Sequence, residues 1–501
     1  MLTLVGNDVT IDARARKTAA GLARAGFSVV SLGVDPVGAA PQSESLDGAR
    51  IHRIVPTLDP RVSTRIFRFS RPELRDWLRY GTEIQRVRLQ MARRELTAWR
   101  RWQLDELADL LRSIRPDHTD SERREPSWGR RAAYRLHWSL FQSRLRLRRA
   151  RLIASQLRYV ALDSAYKAFA KPPRAWKRPG SWRRDLPELH RYEAAIGPLV
   201  DLLQPDLIHV HDVFHLGLAA RAKARAAERG RRMPVVYDAH EFVAGLPIDP
   251  RRRAAFAQLE DEYIRRVDAV VTVSPALAGL LENRYGLSAE VVMNTPDTDD
   301  LPEVDSIRST LGLPENRRLV VYVGGIAPHR GVEELIEALT LLDDHVHLAL
   351  VTNSTTGYVD NLRQRAHDLG VEDRLHLAPY VMPEAVVSYL RGSDVSVIPL
   401  RRGVPNYDVA LPNKLFQSIH ARVPVVVSDS PEMARFVQQH RVGEIFLGGD
   451  PVDLASKVRK ILENPDNYVS AIHPMLLETL SWRSQFDRLL QVYAELGISI
   501  R

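Results

Sequence analysis

The chain has 501 residues, 45% hydrophobic and 27% charged, an ordinary globular composition with length for about three units of ~150 residues. It contains no cysteine, which excludes a disulfide framework and thiolate chemistry, and no apolar run of 18 or more residues that would span a bilayer. Its net charge of +9 is unevenly placed: Thr57 to His190 holds 32 Lys and Arg against 15 Asp and Glu, a surplus of 17 that leaves the rest near −8 and marks that segment for a partner.

Leu2-Thr3-Leu4-Val5 reads as a short buried strand, with no secretory leader visible before it. A helix follows from about Asp12 to Arg24, with Gly26 past its end, and then strands at Phe27–Leu32 and Ile51–Val55. From about Arg61 to Leu186 strand-like runs nearly vanish. Apolar residues recur at near-helical spacing from Ile84 to Ile114, Arg115-Pro116 breaks the pattern, and a second helical stretch covers about 130–169. Alternation of strand and helix resumes at Pro205–His211 and continues at Val235–Tyr237, Ala269–Val273 and Val291–Met293. An Asp-rich linker spans Asn294 to Asp305, and a second set of strands begins at Leu319–Val323. A last helix carries Trp482, Phe486, Leu489 and Tyr493. The order predicts an α/β chain with two Rossmann-like domains. The first spans 1–305 and is interrupted by a basic helical insertion at 60–190. The second spans 306–478, and 479–501 forms a closing helix.

Two stretches carry chemistry. In Tyr322-Val323-Gly324-Gly325 followed by Arg330-Gly331, a strand ends, two glycines let backbone approach a ligand, and a helix begins. Free N–H groups, the helix dipole and the Arg330 fork all favour an anion there; the alternative is a plain strand-to-helix turn. In Pro412-Asn413-Lys414-Leu415-Phe416-Gln417 a proline favours a helix start and places Lys414 and Gln417 on one face. One suits a diphosphate and the other a ribose hydroxyl; the alternative is a capped surface helix.

Together these segments resemble family 4 of the GT-B glycosyltransferases. That family shows a Gly-rich turn with a basic-Gly pair, here Gly324-Gly325…Arg330-Gly331, and a Pro-Asn-Lys segment before a Pro-Val-Val strand, here Pro412-Asn413-Lys414…Pro424-Val425-Val426. Asn7–Arg14, Ile208-His209-Val210-His211-Asp212, Tyr237-Asp238-Ala239-His240-Glu241 and Asn294-Thr295-Pro296 resemble further landmarks. The resemblance covers about 1–56 and 191–501 but not the insertion. It implies transfer of a sugar from a nucleoside-diphosphate co-substrate, with retention and with neither metal nor other cofactor, to a glycan or lipid-linked acceptor of polysaccharide biosynthesis. Arg330 and Lys414 would neutralise the leaving diphosphate, with Gly324, Gly325, Asn413 and Gln417 around the nucleotide. His211 would stand beside the transferred sugar. Asp12 and Arg14 in the first loop, and Glu241, would line the acceptor side.

Two departures count against full activity. Gln417 stands where the family places a ribose-binding Glu; the eight-residue-earlier Glu, often missing in the Pro-Asn-Lys subgroup, is Val409. Gly325 replaces an Arg of the phosphate turn. A catalytically weak homologue acting as a scaffold or regulatory subunit is the alternative. The basic insertion has three readings: an anionic membrane surface met by Arg-rich amphipathic helices, a platform for a protein or acidic acceptor, or a bundle with a solvated basic face. The first would place the protein in the cytoplasm, peripheral on the inner membrane face. No recognition motif accompanies the charge, so nucleic acid is not expected. Asp297-Thr298-Asp299 imitates a metal motif but is expected to be a solvated loop.

Overall fold

The computed structural model describes residues 1–10, 12–35, 43–56, 128–170, 181–299, 301–327, 330–352 and 357–499, with isolated helical positions at 89, 93, 96 and 100. The chain divides into two compact units. One comprises Met1–Val34, Gln42–Ile54 and Gly180–Arg501, the other Asp35–Pro41 and Val55–Pro179.

The larger unit holds two sheets. The first uses β1 (Leu2–Leu4), β2 (Val30–Val34), β3 (Ser43–Leu46), β4 (Ala49–Ile54), β5 (Ile208–His211), β6 (Val235–Ala239), β7 (Ala269–Thr272) and β8 (Ala289–Val291), in the order β3-β4-β2-β1-β5-β6-β7-β8. Among its described pairings only β3–β4 is antiparallel. That hairpin turns at Asp47-Gly48, both with positive φ (48° and 89°), which suits a tight right-twisted ribbon. The strand β3 has no counterpart among the strands expected from the sequence, because Ser43-Glu44-Ser45 is a polar edge. The central strands β5 and β6 are buried along their whole length, as strands covered on both faces require.

The second sheet has six strands, β9 (Arg318–Val323), β10 (Val346–Val351), β11 (Leu375–Ala378), β12 (Val395–Ile398), β13 (Val425–Ser428) and β14 (Gly443–Phe446), all parallel in the order β11-β10-β9-β12-β13-β14. The strand β14 carries too few apolar residues to announce itself. Gly443 admits the close approach of its neighbour, since a Cβ there would lie 1.8 Å from the Val425 carbonyl oxygen.

Four helices position the site. α1 (Ala13–Arg24) starts where the Asp12 side chain accepts from the Ala15 N–H, an N-cap. α2 (Val332–Leu339) follows β9, and α3 (Asn413–His420) follows β12 after an intervening loop. α4 (Trp482–Glu495) closes the chain. Its Trp482, Leu489 and Tyr493 pack with Ala19, Leu22 and Val236 of the first sheet's layer. The Trp482 N–H donates to the Pro296 carbonyl at 3.2 Å, and Gln485 Oε1 accepts from the Met293 N–H at 2.9 Å.

In the other unit Trp128–Ala170 forms one helix of 43 residues, over the second helical stretch expected from the sequence. Phe141 and Leu145 on it pack with Leu96. Most of the earlier stretch, and most of the segment 60–190 ahead of this helix, lies outside the described residues. No described helix is long and apolar enough to cross a membrane.

Candidate functional site

In open parallel sheets, ligand chemistry gathers at the carboxyl ends of strands. Here β5 ends on His211 and β6 continues into His240-Glu241. Alternation along β5 puts His209 and His211 on one side, ring centroids 4.5 Å apart, and the β5–β6 register sets His211 beside Asp238.

The Asp238 carboxylate is buried and shared. Arg14 clamps it with Nε on Oδ2 and Nη2 on Oδ1, both at 2.7 Å, while Arg14 Nη1 donates to the Val292 carbonyl at 2.7 Å. His209 Nε2 and His240 Nε2 each lie 3.2 Å from Asp238 Oδ2. Burial works against the charge of Asp238, but Arg14, His240 and the hydrogen bond of His209 outweigh it and hold the carboxyl well below its usual range. Burial likewise opposes a charged His240. Asp238 and Asp212, whose Oδ1 is 3.4 Å from His240 Nδ1, overcome it and lift the ring well above the ordinary imidazole value. Burial drives His209 the other way, down to about 4.

Arg14 therefore departs from its expected place. It is not a loop residue facing an acceptor but a helical one, 1% exposed, because Asp12 already caps the helix and a buried Asp238 needs a bidentate partner. Asp12 stays beside the cluster. Burial disfavours its charge, yet His240 and His211, with the Ala15 N–H and Asn7, keep its carboxyl lowered. His240 stands beside His211, its Nε2 3.3 Å from His211 Nδ1. Asp212, which holds it, had no distinguishing sequence signal.

Glu241 is reachable by water yet walled by protein. Reduced solvation, with Asp212 adding to it and His240 and Arg330 opposing it, pushes its carboxyl up to about 7. The Arg330 charge of the second sheet's side thus reaches Glu241 of the first. Two backbone ties support that meeting: the Phe242 N–H donates to Asn406 Oδ1 at 2.7 Å, and the Ser274 hydroxyl to the Val409 carbonyl at 2.5 Å.

On the second sheet's side, β9 ends at Gly324, whose φ of 125° is open to glycine alone among common residues. A Cβ there would sit 3.3 Å from Lys414 Nζ. The ammonium is buried, 4.1 Å from the Tyr322 ring centroid, and has no hydrogen-bond partner among the described residues. Burial and the neighbouring Arg330 drop it to about 7. The Tyr322 hydroxyl donates to the Gly325 carbonyl at 2.7 Å, and the space where a Gly325 side chain would stand is empty. The helix after Gly331 carries Glu333 and Glu334 in its first turn, with Glu334 held by Arg401 and the Gly449 N–H.

Asn413 and Gln417 line a cavity of about 190 Å³ with Lys17, Asn294 and Pro383. The Gln417 amide donates to the Pro383 carbonyl at 3.4 Å. Asp297 of the Asp-x-Asp motif pairs with Arg24 at 2.8 Å and accepts from the Asp299 N–H. His209, His211 and Asp238 have ligand atoms within 4.8 Å of one another, but both Asp238 oxygens already receive the Arg14 guanidinium. That donor set is compensated within the protein and does not fit a cation.

Residues 303–473 match the family model described as Glycosyl transferases group 1, and 156–300 that of Glycosyltransferase Family 4. A GDP-mannose-dependent alpha-(1-6)-phosphatidylinositol monomannoside mannosyltransferase of Mycobacterium tuberculosis is 27% identical over 55% of this chain and 73% of that one. A D-inositol 3-phosphate glycosyltransferase of Thermomonospora curvata is 26% identical over 38% of this chain, and the match spans only 45% of that protein's length. In fold the chain is similar to a sucrose-phosphate synthase from Thermosynechococcus elongatus, with a TM-score of 0.61 at 13% identity over 99% of this chain and 98% of that one. It is also similar to Anabaena HepE in complex with UDP-glucose, with a TM-score of 0.51 at 17% identity over 67% and 89% of the two chains. Two largely parallel α/β sheets and both family matches agree: the chain belongs to the GT-B glycosyltransferases of group 1 and family 4.

Proposed function

We propose that this chain transfers a sugar from a nucleoside-diphosphate sugar to a lipid-linked or polysaccharide acceptor, with retention and without a metal. The observation that carries the reading is Lys414: a buried ammonium with no hydrogen-bond partner among the described residues, beside Arg330 and a glycine turn that leaves room for a ligand. A cation is buried at such cost when an anion completes it. A leaving diphosphate gains most charge as the sugar departs, so these two cations would act mainly in the transition state. The nucleoside end would occupy the cavity at Asn413 and Gln417, where an amide still accepts from a ribose hydroxyl. His211 would meet the transferred sugar, with Asp12 and Glu241 toward the acceptor. The phosphatidylinositol and inositol-phosphate names of the relatives support a phosphorylated or lipid-linked acceptor.

The 128–170 helix supports a place on the inner face of the membrane. Leu136, Leu140 and Leu147 share one face and are exposed. Arg144, Arg151 and Arg158 repeat every seven residues beside them and are exposed. Apolar side chains flanked by guanidiniums suit an anionic lipid surface.

A scaffold role is the second reading, favoured by Gln417 and Gly325. Where the family has a ribose-binding carboxylate, Gln417 presents an uncharged amide whose nitrogen donates to the Pro383 carbonyl. One assay separates the two. Wild type, Lys414→Ala and Arg330→Ala are compared on a panel of UDP- and GDP-sugars, with the product anomer read by NMR. Loss of roughly 10²–10³-fold in transfer by each variant, in folded protein, supports the enzyme. Equal turnover in all three removes the site, and no turnover in wild type with any donor leaves the scaffold.

A further inference from the structure

The histidine cluster can be solved for its protons. Asp238 is ionised and can only accept, so His209 Nε2, at 3.2 Å from it, must carry a hydrogen. With His209 neutral, its Nδ1 is a lone pair. The Tyr493 hydroxyl at 2.7 Å must therefore donate to it. His240 faces a carboxylate from each nitrogen, Asp212 from Nδ1 and Asp238 from Nε2, so both nitrogens carry hydrogen.

His211 Nδ1 lies 3.3 Å from His240 Nε2 and 3.4 Å from Asp238 Oδ2. A hydrogen on this Nδ1 would face the His240 hydrogen. It would also add a donor to Asp238 Oδ2, which already receives hydrogen bonds from Arg14 and His209. A lone pair on Nδ1 instead accepts from His240. The hydrogen of His211 then sits on Nε2, which is fully buried and has no partner among the described residues.

We infer that Tyr493, His209, Asp238 and His240 are positioning residues that fix His211 as an Nε2–H donor, and that His211 offers a hydrogen bond to an oxygen of the bound substrate rather than acting as a base. This rests on the reading of His211 as a residue that meets the transferred sugar. It also gives α4 a part in the reaction: Tyr493, on the last helix, sets the tautomer that begins the relay. The Tyr493–His209 bond closes over 284 residues of chain.

The test uses the full chain labelled with 15N-histidine. Long-range 15N–1H correlations near pH 7.5 should show His209 and His211 as Nε2–H tautomers and His240 doubly protonated. Tyr493→Phe, which keeps the ring, should release the His209 tautomer. It should also lower kcat about tenfold with the donor KM unchanged, as expected for one misplaced hydrogen bond. A His211 proton on Nδ1, or a Tyr493→Phe protein with wild-type spectra and kcat, overturns the inference. Full transfer by His211→Ala with the spectrum of the other histidines unchanged overturns instead the role of His211 at the sugar, and leaves the tautomer of the ring as assigned.

Discussion

Asp212 leaves β5 at φ 61° and ψ 172°, backbone that is nearly reserved for glycine, and from there its carboxylate reaches His240 Nδ1 at 3.4 Å. The chain tolerates that conformation beside His211 in exchange for a fixed cation at the strand end. Asp212→Gly and Asp212→Asn separate the two effects. Glycine removes strain of roughly 1–3 kcal/mol while asparagine keeps it, so the glycine variant should melt higher than the asparagine variant. In both, His240 should titrate closer to 6.5. The folded value of His240 is raised, so its contribution to stability is present below the unfolded value and fades as pH rises through the folded one. Both variants should therefore lose more stability against wild type at pH 6 than at high pH, measured by thermal melts across the range.

The Arg14–Asp238 pair makes a second prediction. Arg14→Ala leaves a buried carboxylate with three imidazoles and no guanidinium. The loss should be roughly 3–5 kcal/mol in denaturant unfolding, as for other broken buried pairs. Pairing Arg14→Met with Asp238→Asn should recover part of that loss. Additive losses in the double variant would show that the two residues do not form one unit.

Arg14 also marks the boundary of what the sequence reveals. The helix that carries it was legible. Its partner was not, because Asp238 lies 224 residues away and nothing local distinguishes a buried arginine from a ligand-facing one. The alternation of His209 and His211 was legible from strand periodicity, as were the glycine turn and the Pro-Asn-Lys helix start. Polar β3 and glycine-led β14 were not, since edge strands need no apolar alternation. Asp212, His240 and Tyr493 became meaningful only when β5, β6 and the last helix met.

Lys414 at about 7 sets a proton balance for nucleotide binding. Its folded value is depressed, so between pH 7 and roughly 10 the unfolded chain holds a proton that the empty protein lacks. Stability should rise with pH over that window. A bound diphosphate restores the charge, so UDP or GDP binding at pH 8 should take up about one proton, seen as a binding enthalpy that changes with buffer ionisation heat. Lys414→Met should bind more weakly and without that uptake. An enthalpy independent of buffer in wild type would place the ammonium away from the phosphates.

The 128–170 helix predicts salt-sensitive lipid binding. Flotation with phosphatidylglycerol vesicles should recover the protein at low salt and less at high salt. Glutamate at Leu136, Leu140 and Leu147 together should abolish recovery without changing transfer to a soluble acceptor. Equal recovery on neutral vesicles would remove the charge argument for this helix.

Glu241 should govern the acceptor side as pH crosses about 7. Its folded value is raised above the carboxylate norm, so it holds a proton between about 4.5 and 7 that the unfolded chain has lost. Its raised folded value therefore lowers stability as pH rises through that interval. Only the ionised carboxylate accepts from an acceptor hydroxyl with both oxygens, so the acceptor KM should climb as pH falls below 7 while the donor KM stays level. Glu241→Gln copies the protonated form. It should show the high acceptor KM at every pH and no inflection near 7, whereas a variant that keeps the wild-type inflection assigns that titration to another group.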